Sequence, residues 1–340
     1  MILIFLVLVL TLAQFRIIYR LNGGRNKIEG FGYNEKNLLN RETNIQAWMN
    51  RILAPVLVLG FSKMSGLAWH SSHLFLSVLL LFLLNIMLFY YCLKLCRSPG
   101  TAACILLSYL LAFLLLQHYY IFLWDYIDII IMSAFVFGIL GQFPLYYFII
   151  LFFIALFNRE SSLFIVFFLF IQSFQLKPNL KLISKKHLFV SLSLFLINSV
   201  YIKAMRMLLY NGPERKDVYT GLPGILGNEN HLMFNLKYFL YNFYYFFTKL
   251  GPDFNVVISA FIVFMVAFII FCLIHGPPPL QRAALLLAAM VFSIFVSGLI
   301  METRMWLMTL PFVCLMIAYI QSDHELLNKI TLIKFISPKN

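Results

Sequence analysis

Ionisable side chains set at the ends of long apolar runs are the residues of this sequence with chemistry to offer. Asp125 and Asp128 open one such run in WDYIDII, and at a spacing of i and i+3 they share one helix face. Arg159 and Glu160 form the turn of FNRESS between two very apolar runs, an adjacent cation and anion where Asn, Gly and Ser alone would make a turn. Glu302 and Arg304 begin the last run in METRMW. A carboxylate in reach of a hydroxyl acts as a general base. Two guanidinium groups on one face suit bidentate binding of phosphate. Each site also has a plainer role. Asp125 fits an N-cap or a complement to the helix dipole, Arg159 and Glu160 an ordinary ion pair, and Glu302 and Arg304 an interfacial anchor. Asp128 lies one turn deeper, where capping explains less and an ionisable group beside hydrocarbon is costly.

Other chemistries find little support. His70 and His73 flank the start of one apolar run, and His118 ends the next; no carboxylate lies nearby in sequence, so a metal site is not indicated. Cys92, Cys96, Cys104, Cys272 and Cys314 all fall in or beside apolar runs and read as small buried thiols rather than a disulfide framework. The sequence contains no Walker loop, dinucleotide fingerprint, HExxH or GxSxG, so energy from a bound nucleotide is not indicated, and a divalent metal is left open without a residue set that points to one.

The elements that must position these residues are membrane helices. Of the 340 residues, 62% are hydrophobic and 11% charged, and the mean hydropathy is +0.89; a soluble domain carries about a quarter charged residues. The chain is therefore expected to be an all-α polytopic integral membrane protein, with lipid as its main solvent. Its net charge of +13 comes from loops between apolar runs, which points to topology and lipid phosphate rather than nucleic acid. About ten crossings are expected, at 1–19, 72–95, 101–122, 125–141, 143–158, 161–175, 187–209, 254–275, 281–300 and 304–321. Residues 1–321 form a single transmembrane domain and 322–340 a cytoplasmic tail. The first run has no basic leader and reads as a retained span.

Orientation follows from Lys177, Lys181, Lys185 and Lys186, which mark their loop as cytoplasmic. Lys94 and Arg97, Arg282, and the tail with Lys329, Lys334 and Lys339 then fall on the same side, as does the N-terminus. Asp125, Arg159, Glu160, Glu302 and Arg304 collect on the opposite face with two long outer loops, 20–71 and 210–253. Residues 51–69, interrupted by Pro55, Gly60, Lys63 and Gly66, read as an interfacial helix in the first of these. The aromatic stretch from Leu232 to Leu250 reads as another in the fourth outer loop.

The order of motifs resembles the GT-C superfamily of integral-membrane glycosyltransferases, particularly bacterial members of unassigned substrate. A first span is followed at once by an outer loop with an acidic motif, here Glu29-Gly30-Phe31-Gly32-Tyr33, where the family often has Asp-Gly-x-x-Tyr. NRILAP, from Asn50 to Pro55, resembles the helix start that comes some twenty residues later. WDYIDIIIMSAFVFGIL, FNRESSLFIV and ETRMWLMTLPFV are similar to the family's later motifs. The resemblance implies transfer of a sugar from a polyprenyl-phosphate donor to a glycan or lipid acceptor on the extracytoplasmic face of the bacterial inner membrane. Glu29, or else Asp125 or Glu160, would be the base, Arg159 and Arg304 would hold phosphate, and Asp128, Glu302 and Tyr33 would contact substrate.

Three other classes compete. A lipid-linked glycan polymerase or ligase would work through Arg215 and Lys216 in the 210–253 loop. A polysaccharide-related transporter would need charges deep in several spans and commonly an inverted repeat. A non-catalytic membrane subunit would keep the fold without the reaction.

Overall fold

The computed structural model describes residues 2–21, 34–40, 51–116, 122–175, 181–209, 236, 239–240, 254–297 and 303–322. Its helices are α1 (Ile2–Leu21), α2 (Leu53–Ser65), α3 (Trp69–Cys96), α4 (Pro99–Leu116), α5 (Leu123–Leu140) and α6 (Leu145–Leu156). They continue as α7 (Ser162–Gln172), α8 (Lys185–Leu209), α9 (Phe254–His275), α10 (Pro278–Ser297), a 3-10 helix (Thr303–Thr309) and α11 (Leu310–Ser322). A short helical segment covers 34–39. Strands β1 (Phe174–Gln175) and β2 (Lys181–Leu182) pair antiparallel, Phe174 opposite Leu182, and tie the end of α7 to the start of α8.

Among the described residues, seven helical stretches are long and apolar enough to cross a membrane: Ile4–Leu21, Trp69–Cys96, Pro99–Leu116, Leu123–Leu140, Lys185–Leu209, Pro278–Val296 and Met305–Ser322. Expected spans 143–158 and 161–175 instead hold α6, of 12 residues, and α7, of 11. At 1.5 Å per residue each is about 17–18 Å long, against a hydrocarbon core of about 30 Å. The stretch 51–69 holds α2, of 13 residues.

Local sequence sets these ends. Pro99 and Pro278 begin α4 and α10, where a missing N–H costs nothing. Gly66, at φ 71, ends α2 in the left-handed conformation, its N–H donating to Ser62 O. Gly138 lets α5 and α6 close into a hairpin: a Cβ there would collide with the ring of Tyr147. The Tyr147 hydroxyl donates to Ala134 O at 2.8 Å.

α5 and α11 form the centre, 89% and 72% buried over their crossing windows, whereas α1 and α8 lie at the periphery, at 22% and 17%. Phe135 of α5 meets Phe148, Phe168 and Phe312 edge-on at 6.0, 5.6 and 6.2 Å, joining α5, α6, α7 and α11 through one aromatic knot. α1 is fastened to α3 by Asn85, whose Nδ2 donates to Thr11 Oγ1 and Gln14 Oε1, both at 3.0 Å.

The directions of the helices follow from their contacts. α3 and α5 run the same way: Tyr91 stacks on Phe137 at 4.0 Å near their C-terminal ends, and Glu35 bridges His73 and Leu123 near their N-terminal ends. α6 runs against α5, since Asn158, just past its end, donates to Trp124 O. α2 runs against α3, with Phe61 stacked on Phe75 at 4.9 Å. α2 and α6 therefore share a direction. They are joined head to tail, because Leu53 N–H at the start of α2 donates to Phe157 O just past the end of α6 at 2.9 Å. Their 13 and 12 residues add to about 37 Å of helix, the length of one crossing.

Candidate functional site

Four short-helix and span ends meet at one place: the start of α2, the start of α5, the end of α6 and the start of α7. Their residues form a buried charged cluster. Arg159 Nη1 donates to Asp125 Oδ1 at 3.2 Å and lies 3.8 Å from Asp128 Oδ2. Asp125 is 4% exposed, Asp128 1% and Arg159 9%. The two acids arrive together because positions i and i+3 share a helix face, and Arg159 reaches both because the α5–α6 hairpin returns it to the start of α5.

Each carboxylate has further partners. Asp125 Oδ2 accepts from Phe122 N–H at 3.0 Å while Asp125 N–H donates to Phe122 O at 3.0 Å, so this residue both caps α5 and pairs with Arg159. The Ser161 hydroxyl donates to Asp128 Oδ1. The Ser162 hydroxyl donates to Asn198 Oδ1 of α8 at 2.8 Å. Both serines tie the turn sideways to neighbouring helices.

A second ion pair borders the first. Arg51 Nη2 lies 3.8 Å from Glu160 Oε2, and its guanidinium rests over the Trp124 ring at 5.4 Å. Arg51 and Arg159 both act electrostatically on Asp128. A third pair lies at the same end of α5. Glu35 Oε1 accepts from Leu123 N–H at 2.8 Å, and Oε2 lies 3.2 Å from His73 Nε2. Glu35 is fully buried and His73 is 2% exposed. The arrangement offers two guanidinium groups and several carboxylates in a largely buried setting, where electrostatic effects on a reacting group are stronger than in open water.

The cluster is recessed. α8 passes it at Asn198 and continues to Leu209, about 16 Å further. Arg159 and Glu160 were expected in a turn at the outer ends of two full crossings; the shortness of α6 and α7 places that turn well inside the length of the neighbouring helix.

Of the residues singled out from sequence, Asp125, Asp128, Arg159 and Glu160 come together. Arg304 lies in the 3-10 helix that leads into α11. Glu29, Tyr33 and Glu302 lie outside the described residues, as do Arg215, Lys216 and most of 210–253. Arg51, Glu35 and His73 were not singled out as site residues. Arg51 stands in NRILAP as one of several basic residues, and Glu35 is six positions beyond Glu29. The His70/His73 spacing was visible, but its carboxylate partner is distant in sequence. Among the described residues no group of three or more His, Cys, Asp or Glu side chains is arranged to hold a metal ion.

Compared with known proteins, the chain matches no family model, no curated protein and no solved structure. Its class rests on its own helices: an all-α chain with several long apolar helices, as a polytopic membrane protein has.

Proposed function

We propose that this protein is a membrane glycosyltransferase of GT-C-like build, moving a sugar from a polyprenyl-phosphate donor to a glycan or lipid acceptor on the extracytoplasmic face. The observation that carries the reading is the convergence of Arg159 and Arg51 with Asp125 and Asp128 at one recessed junction of helix ends. Loss of a lipid phosphate leaving group builds negative charge that fixed guanidinium groups stabilise. The carboxylates of Asp125 and Asp128 hold Arg159 in place, its lone contact nitrogen shared between them. Glu160 does the same for Arg51. An acceptor hydroxyl must lose a proton, for which Glu29 and the cluster's own acid–base groups are the candidates.

The test is turnover by the full chain in lipid nanodiscs, offered polyprenyl-phosphate hexoses and pentoses in turn. Release of free polyprenyl phosphate by the wild type, with a loss of about 100-fold or more in R159Q, is the expected result. Failure with every donor would defeat the proposal. One observation favours a second reading, transport: helices of half length that meet end to end at a charged cluster are how secondary transporters build midplane sites. Donor uptake into sealed vesicles without chemical change would establish that reading instead.

A further inference from the structure

The Glu35–His73 pair has no role in holding either arginine. It is nevertheless built with care: a fully buried carboxylate, anchored by Leu123 N–H, faces the Nε2 atom of a buried imidazole at 3.2 Å. Among the described residues neither ring nitrogen nor Glu35 Oε2 makes a hydrogen bond; Nε2 sits at ion-pair distance from the carboxylate, and Nδ1, also buried, has no charged group opposite it. Buried polar atoms are almost always partnered, so an orphaned ring nitrogen on a side chain 2% exposed points to a ligand group that completes it.

The carboxylate also fixes the chemistry of the ring. A neutral histidine whose Nε2 faces a carboxylate carries its proton there and presents the bare lone pair of Nδ1. This is the logic of an acid–imidazole pair in acyl-transfer enzymes: the acid sets the tautomer and stabilises the imidazolium once it forms. The pair belongs to the charged cluster, since Glu35 and Asp125 are fastened to the consecutive N–H groups of Leu123 and Phe122, and Asp125 binds Arg159.

We infer that His73, backed by Glu35, is the proton acceptor of the site, taking the proton of a hydroxyl substrate on Nδ1. The inference rests on the sugar-transfer reading for the reaction that follows. The substrate O–H bond breaks as Nδ1–H forms. The oxygen's electron pair then attacks the anomeric carbon, and the carbon–oxygen bond to phosphate breaks with its electrons going to the leaving phosphate. The proton on Nδ1 passes afterwards to solvent.

Two measurements test this on the full chain in nanodiscs. The first does not depend on activity: ¹⁵N-histidine NMR, with the His73 signals assigned by their loss in H73N. A neutral ring protonated on Nε2, whose tautomer balance shifts in E35Q, is expected. A proton residing on Nδ1, or a ring that stays an imidazolium across the neutral range, overturns the inference. The second is turnover of a polyprenyl-phosphate sugar. H73A should lose about 100- to 10,000-fold in kcat, with KM little changed and part of the rate restored by added imidazole. Wild-type rates in H73A, or a folded H73A protein whose lost rate imidazole leaves untouched, count against His73. H73Q, which keeps the ring's volume, separates loss of the base from loss of packing: it too must be slow. A wild type inert on every donor would sink the sugar-transfer reading, and the tautomer measurement would still decide the pair.

Discussion

Removing the Arg159 guanidinium is the sharpest perturbation of the charged cluster. Its Nη1 atom stands 3.2 Å from Asp125 and 3.8 Å from Asp128. At an effective dielectric of about 20 these contacts are worth about 5 and about 4 kcal/mol before costs. Repulsion between the two carboxylates and desolvation of all three groups take back much of that sum. In R159M the carboxylates, 4% and 1% exposed, lose their nearest cation, and Asp128 keeps only the influence of Arg51. Stripping one partner from a buried pair costs roughly 3–5 kcal/mol, a limit set because a stranded carboxyl takes up a proton instead. Reversible unfolding of the protein in mixed micelles, titrated with SDS, measures the difference. R159M should lose about 3–5 kcal/mol, and D125N/D128N/R159M should recover more than half, since the amides need no counter-charge. R159K should fall between, because one nitrogen serves both contacts and an ammonium can replace it in part. A loss below about 1 kcal/mol in R159M, the range of exposed pairs, would refute the reasoning. So would a triple variant no more stable than R159M.

Two structural predictions use the same unfolding assay. G138V drives a side chain into the rings of Tyr147 and Phe148 and should cost about 1–3 kcal/mol by overpacking; a neutral result would mean that α5 and α6 do not close on this glycine. N85A strands Gln14 Oε1 and removes the one interhelical bond of Thr11, which keeps its bond to Val7 O, and should cost about 0.6–2 kcal/mol, the range for hydrogen bonds between membrane helices. N85D, which keeps an acceptor but loses the donor, should do no better.

What could be read from sequence divides by distance along the chain. The existence of most helices was legible because lipid demands long apolar runs and little else in the sequence supplies them. Asp125, Asp128 and Arg159 were legible because each sits beside such a run, where charge is expensive, and because the i, i+3 spacing sets both acids on one face. Glu35 and His73 were not, since 38 residues separate them and only the fold brings them together. Arg51 was obscured by its neighbours: in a stretch that also holds Arg41 and Lys63, nothing local marks Arg51 as a cation that packs on Trp124. Helix length was also hidden. The runs 143–158 and 161–175 are apolar enough to cross a membrane, but the turn at Phe157–Ser161 and the strand pair after Gln172 cut the helices to 12 and 11 residues.

That shortening leaves the expected sidedness unchanged. Two full crossings and a hairpin of two half-length helices both return the chain to the face it left, so the orientation expected from Lys185 and Lys186 is the same under either. The difference falls on the turn. A turn between full crossings lies at a surface, where Asn158 and the Phe157 carbonyl would meet water. Here Asn158 is fully buried and donates to Trp124 O, and Phe157 O accepts from Leu53 N–H. Backbone outside a helix is tolerated at depth only when protein satisfies it. The head-to-tail junction of α6 with α2 does so, setting two short helices in one direction with a break between them. The break is where Arg51, Arg159 and their carboxylates gather. The same interruption that leaves backbone groups to be satisfied therefore creates the polar setting in which charge becomes affordable, and any substrate must be able to enter between the helices to reach it.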